Sequence, residues 1–278
     1  MDLDRTKRRL NITAQHMSAI ITDIKPLHIR PVQRDNRFDF PFNDEKIHIL
    51  LCATGSVATI KIPNIIDALS QYPNLSIRLI FTASSTNFLG GQSLEQPSLR
   101  VIDALPNVDG IYFDEDEWSE PWVRGNKILH IELRRWADIM VVAPLSANTL
   151  AKITQGWSDN LLLSVIRAWD TTGELDPIRN IAGLNRPREE GEHAVQRRKQ
   201  ILVAPSMNTA MWKQPITKKQ IDVLDEEWGV KNGRWFEVLL PMEKELACGD
   251  VGGGAMKDWR EIVGVIEDKL GLRTNERS

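Results

Sequence analysis

A short, almost unbroken apolar run that stops at a turn and passes into a helical pattern recurs along this chain, and no other feature constrains its fold as much. Ile47 to Ala53 is the first such run. It ends at Thr54-Gly55-Ser56, and a helical pattern follows from Val57 to Leu69. Ser76 to Ala83 is the next strand, with Ile77, Leu79 and Phe81 facing inward and Ser84-Ser85-Thr86-Asn87 beyond it. Gly110 to Phe113, Ile139 to Ala143 (broken by Pro144), Ile201 to Ala204 and Trp235 to Leu240 read as further strands. Helical patterns fall at Ile128 to Trp136, Asn148 to Gln155, Asp159 to Trp169, Thr217 to Trp228 and Trp259 to Leu270. Continuous apolar runs are strands covered on both faces, and strands alternating with helices build a parallel sheet. The expected fold is α/β: one doubly wound, mainly parallel sheet over residues 46–270.

The margins read differently. Residues 1–45 carry mixed charge, Pro26, Pro31 and Pro41, and are expected to be disordered, with a weak amphipathic turn at Ile12 to Ile24. Thr171 to Gln200, rich in charge, Gly and Pro, interrupts the rhythm and is expected to be a mobile surface insertion. Lys244 to Met256 is a Gly-rich flap candidate, and Gly271 to Ser278 a polar tail. A formal net charge of −3 gives no support for a nucleic-acid or anionic-membrane partner. Two cysteines, Cys52 and Cys248, make no disulfide framework and point to a reducing compartment, cytoplasmic or nuclear. No apolar run approaches the roughly 18 residues of a spanning helix, and no secretory signal is visible.

Several turns could carry chemistry. Pro205-Ser206-Met207-Asn208-Thr209-Ala210-Met211-Trp212 leaves the end of a strand, where open α/β sheets collect ligands. Asn208 suits a ligand carboxylate or amide, and Met207 and Met211 suit a flat apolar surface; the alternative is a helix N-cap with two core methionines. Thr54-Gly55-Ser56-Val57 offers backbone N–H groups to a phosphate. It has one glycine rather than the three of the dinucleotide fingerprint, so a mononucleotide such as FMN fits better than NAD. Gly55 is expected to serve close backbone approach and a positive φ. Pro144 to Thr149 has the same strand-to-helix position, with Ser146 or Asn148 as ring or ribityl contacts or as a helix cap. His130 lies beside the apolar face of its helix, with Arg134 one turn later; it is either a base or a satisfied structural histidine. Cys248, among glycines in Leu246-Ala247-Cys248-Gly249-Asp250, could close over a ligand and offer a proton, whereas Cys52 reads as core. Asp114 to Glu117 reads as a solvated acidic loop rather than a metal site, and no metal is expected.

From Lys46 to Leu270, insertion excluded, the chain resembles the phosphopantothenoylcysteine decarboxylases among the flavin-dependent cysteine decarboxylases. The resemblance rests on Thr54 to Ala58, Leu129 to Asp138, Ala143 to Thr149, Asp159 to Leu162, the Met-Asn stretch, and Ala247 to Asp250 with Gly254-Ala255-Met256, all in order. It implies a flavodoxin-like or Rossmann-like enzyme that uses FMN, assembles as a homotrimer with flavin near the subunit interface, and converts 4′-phosphopantothenoylcysteine to 4′-phosphopantetheine in coenzyme A biosynthesis. By the same resemblance His130 is the base and Cys248 the final proton donor. Asn208 holds the substrate carboxylate, with Met211, Ala247 and Gly249 beside it. Flavin contacts are Gly55, Ser56, Val57, Thr82, Ser84, Phe88, Ser146, Ala147, Asn148, Thr149 and Ser206. The family usually has Ala at the position of Ser206. The extension and insertion are similar to those of longer relatives that act as inhibitory subunits of a type-1-like protein phosphatase, which is one alternative; decarboxylation of a peptidyl cysteine is another.

Overall fold

The computed structural model describes residues 38–176, 179, 198–245 and 251–272. Six parallel strands form the central sheet: β1 (Ile47–Ala53), β2 (Leu75–Phe81), β3 (Val108–Tyr112), β4 (Ile139–Leu145), β5 (Gln200–Pro205) and β6 (Phe236–Val238). Their order is β3-β2-β1-β4-β5-β6, the doubly wound, Rossmann-like arrangement. A separate antiparallel hairpin pairs β7 (Met242–Glu245) with β8 (Val251–Ala255). Residues 123–126 form a turn of their own, closed by Asn126 N–H to the Val123 carbonyl at 2.9 Å.

Alternation along each strand divides the core. Ile49, Leu51, Ile77, Leu79 and Val141 face one layer, built from α1 (Ile62–Leu69) and the C-terminal helix Trp259–Leu270. Leu50, Cys52, Ile80, Met140, Val142 and Val203 face the other, built from α2 (Leu129–Trp136), α3 (Ala147–Thr154), α4 (Leu161–Arg167) and the region after α5 (Pro215–Asp222). Helix α1 places Ile62, Ile65, Ile66 and Leu69 on one buried stripe, the spacing that a core-facing helix needs. The C-terminal helix, α6, starts on Asp258, whose carboxylate accepts Arg260 N–H at 2.9 Å, and stops at Gly271 with φ 63°.

The structure corrects some expected boundaries. The helix expected from Val57 begins as a 3-10 turn, Val57–Lys61, because Pro63 has no N–H to give to Thr59 and the α-helix can only be entered there. β4 does not stop before Pro144 but runs to Leu145, with a shift of register beyond Val142. Ordered chain reaches outward past residue 46. Phe38 is buried in the core, and the Arg78 guanidinium lies 4.0 Å over the Phe40 ring.

The described parts of the insertion are fastened rather than loose. The Asp170 carboxylate accepts N–H bonds from Thr172, Gly173, Leu175 and Asp176. Burial pushes this carboxyl up, but those bonds and the Thr172 hydroxyl outweigh it and hold the pKa at about 2. Arg179 is buried and reaches Asp138 at 2.6 Å, the Lys46 carbonyl at 2.8 Å and the Phe42 carbonyl at 2.9 Å. Lys199 donates to the Arg135 carbonyl at 2.9 Å and to Asp176 at 3.2 Å. The turn expected at Ile12 to Ile24, residues 180–197 and the last residues of the tail lie outside the described residues. Among the described residues no helix is long and apolar enough to cross a membrane, and no group of three His, Cys, Asp or Glu could hold a metal ion.

Candidate active site

β1 and β4 are neighbours, but the chain leaves β1 toward α1 and β4 toward α3, on opposite faces of the sheet. That divergence opens a crevice at their C-terminal ends, the place where such sheets bind ligands. Thr54 fixes its floor. Its N–H and hydroxyl both donate to the Pro144 carbonyl (3.1 and 3.0 Å), and its oxygen accepts Ser146 N–H at 2.7 Å.

Hydroxyls from four strand ends line this crevice. A Cβ on Gly55 would stand 2.6 Å from Ser84 Oγ and 2.7 Å from Ser84 Cβ, so the β1 and β2 turns touch. Gly55 does not have the positive φ expected of it; the nearness of Ser84 is what requires glycine. Ser84 Oγ lies 3.2 Å from Thr82 Oγ1, and Thr82 N–H returns to the Ala53 carbonyl. Ser56 and Ser206 share a hydrogen bond of 2.8 Å, and Ser206 N–H donates to the Leu145 carbonyl, also at 2.8 Å. Ser146 caps α3 by accepting Thr149 N–H at 3.4 Å and donates to Thr149 Oγ1 at 3.2 Å. Val57 and Asn148 are exposed at the rim, and Ala147 and Phe88 are half-buried. A hydroxyl-lined crevice in which a bulkier residue 55 would strike the facing turn suits the phosphate and polar chain of a mononucleotide.

Asn208 sits at the next strand end. Its Oδ1 accepts Met211 N–H at 2.8 Å and caps the one-turn helix Thr209–Trp212. Capping, the alternative to ligand binding, is thus the role seen, yet it leaves the two N–H donors of the amide for a ligand carboxylate. The methionines separate: Met207 is buried, whereas Met211 is 46% exposed. The glycines of β8 lie directly on this stretch. Met207 N–H donates to the Gly254 carbonyl at 2.9 Å, and a Cβ on Gly254 would come within 2.6 Å of the Met207 carbonyl oxygen. Cys248, Ala247 and Gly249 lie outside the described residues.

His130 stands in the first turn of α2, its side chain 22% exposed. Nδ1 bonds to Glu117 Oε1, which also accepts the His130 N–H at 3.2 Å. The acidic run is therefore not a solvated loop. Glu117 is 7% exposed, and the Asp114 carboxylate caps α4 at Leu161 N–H (3.0 Å), where burial pushes its pKa up. Arg134, expected to accompany His130, instead meets Asp176 at 2.8 Å and the Ala168 carbonyl at 3.0 Å. The sequence carries no sign of the Glu117 contact, because residues 13 apart in different elements have no periodic relation. Among the described residues no bond joins His130 to the serine cluster or to Asn208.

A family model described as Flavoprotein matches residues 40–271, and the chain belongs to that family. A probable phosphopantothenoylcysteine decarboxylase of Arabidopsis thaliana is 41% identical over 213 residues, covering 77% of this chain and 83% of the relative. The chain's place within the family is thus with the phosphopantothenoylcysteine decarboxylases. Two solved structures agree in fold with a TM-score of 0.59 and 38% identity. One is a cysteine-to-serine variant of a PPC decarboxylase complexed with pantothenoylaminoethenethiol (80% of this chain, 97% of that one). The other is the FMN binding protein AtHal3 (83% and 100%). The chain spans only 30% and 34% of two longer matching relatives, from Schizosaccharomyces pombe and Saccharomyces cerevisiae.

Proposed function

We propose that this protein is an FMN-dependent decarboxylase of 4′-phosphopantothenoylcysteine, releasing carbon dioxide and 4′-phosphopantetheine. The observation that carries this reading is the closure of four strand ends into one hydroxyl-lined crevice next to Asn208. When bound there, the flavin supplies a two-electron acceptor that returns the same electrons, so the net change is loss of carbon dioxide and gain of one proton at carbon.

The chain's own groups do the rest. Glu117 holds His130 through Nδ1, which leaves Nε2 as the ring nitrogen that takes a proton from the cysteinyl end of the substrate. The Asn208 amide donates to the carboxylate until it departs. The Cys248 thiol returns a proton to carbon. Ser56, Ser84 and Ser146 hold the cofactor's polar groups, with Gly55 admitting its close approach.

A homotrimer is part of the proposal. It is what the resemblance to the phosphopantothenoylcysteine decarboxylases implies. A cytoplasmic setting is supported by the sparse cysteines. Regulation of a phosphatase finds no specific support in these residues. The test is an absorbance spectrum of the purified protein followed by carbon dioxide release from 4′-phosphopantothenoylcysteine. A protein that takes up no FMN, or that takes it up and releases no carbon dioxide, refutes the reading.

A further inference from the structure

β4 separates β1 from β5 in the sheet, yet Ser56 and Ser206, at the ends of those outer two, meet with their hydroxyl oxygens 2.8 Å apart. A count of protons shows what this contact does. Two hydroxyls carry two protons, and the bond between them uses one. Ser56 Oγ also accepts Ala58 N–H at 3.4 Å, and no described carbonyl accepts from either hydroxyl. One O–H is left with no acceptor among the described residues.

Burial decides which serine carries it. Ser206 is 7% exposed, whereas Ser56 is half-buried. A spare O–H on Ser206 would be a buried donor without a partner, the costly arrangement. With Ser206 donating, the two lone pairs of Ser56 Oγ receive Ala58 N–H and Ser206 O–H, and the Ser56 proton must point elsewhere.

We infer that Ser206 is a positioning residue that, by donating to Ser56, commits the Ser56 O–H to a phosphate oxygen of the bound mononucleotide; this rests on the flavin reading above. A phosphate offers only acceptors to such a donor, and its charge strengthens the bond. Alanine at this position cannot impose this direction, so the lock depends on the serine.

The experiment is a double-mutant cycle on FMN affinity, read by quenching of flavin fluorescence, with Ser206→Ala, Ser56→Ala and the pair. Ser206→Ala should weaken FMN about three- to tenfold, because the Ser56 hydroxyl keeps its proton but loses the contact that aims it at the phosphate. It should leave the apoprotein's circular dichroism unchanged and change nothing further once Ser56 is alanine. Riboflavin, which lacks the phosphate, should bind parent and Ser206→Ala alike. Ser206→Cys fills the site with a weak donor and should fall between the two, which keeps the test open if the alanine variant misfolds. Equal FMN affinity of parent and Ser206→Ala overturns the inference, as does an additive cycle or an equal loss for riboflavin. Failure of the parent itself to bind FMN refutes the flavin reading instead.

Discussion

His130 Nδ1 is held by the buried carboxylate of Glu117, and the same oxygen accepts the His130 backbone N–H at 3.2 Å. Ring orientation and tautomer are thus set by one residue, and Nε2 is left for chemistry. His130→Asn should retain FMN and lose about 10²–10⁴-fold in carbon dioxide release, the usual share of a general base. Glu117→Gln keeps an acceptor but loses the charge, and should fall less, about tenfold, with FMN uptake unchanged. Single-turnover carbon dioxide assays decide both. Parent-like rates in His130→Asn would return the histidine to a structural role.

The crevice makes a steric prediction. A side chain on residue 55 meets Ser84 Cβ at 2.7 Å, a contact that rotation of the Ser84 hydroxyl cannot relieve. Gly55→Val should therefore abolish FMN binding. Gly55→Ala should weaken it strongly, and adding Ser84→Gly should recover only the part of the loss that the Ser84 clash causes, since the Ser84 hydroxyl goes with it. Fluorescence titration reads all three, and no recovery in the double variant would place the need for glycine in the ligand's approach rather than in the Ser84 contact.

Much of this was legible in the chain itself. Nearly unbroken apolar runs such as Ile47 to Ala53, interrupted by His48 alone, and Ile139 to Ala143 have to lie in the middle of a covered sheet, and the turns after them have to gather at one edge. That logic located Ser56, Ser146 and Asn208 together. It failed where contact is made by charge across long separations. Glu117 looked like one of four solvated acids, and Arg179 looked like part of a loose insertion. In fact Arg179 is buried between Asp138 and the carbonyls of Phe42 and Lys46. Ion pairs of this kind have no periodicity, so only the folded arrangement shows which charge is inside.

Cys248 is expected to act after carbon dioxide has left. Serine fills nearly the same space, and its hydroxyl is a far weaker acid than a thiol of pKa about 8.5. Cys248→Ser should release carbon dioxide for at most about one turnover while the yield of 4′-phosphopantetheine collapses. Mass spectrometry of an anaerobic single turnover separates the two products. Full yield from the serine variant would remove the thiol from the reaction.

His48 makes the chain's stability depend on pH. It is fully buried at the start of β1 and stacks on Trp136 with ring centres 4.2 Å apart. A carbonyl can only accept, so Nδ1 donates to the Trp136 carbonyl at 2.9 Å; Nε2 then faces Arg179 Nη2 at 3.3 Å and Asp44 at 2.9 Å. Burial, and after it the Arg179 guanidinium, push the imidazole down from 6.5 to about 4, against the pull of Asp44. Between those two values the unfolded chain binds a proton that the folded chain refuses. Stability therefore falls as pH drops through that window and is fully present above it. The loss between pH 7 and pH 5 should be about 2 kcal/mol. His48→Gln cannot take up a proton, so it should start lower at pH 7, having lost the stacked ring, but decline less over the same interval. Urea unfolding of both proteins at the two pH values measures the difference, and parallel declines would show that His48 carries no such proton linkage.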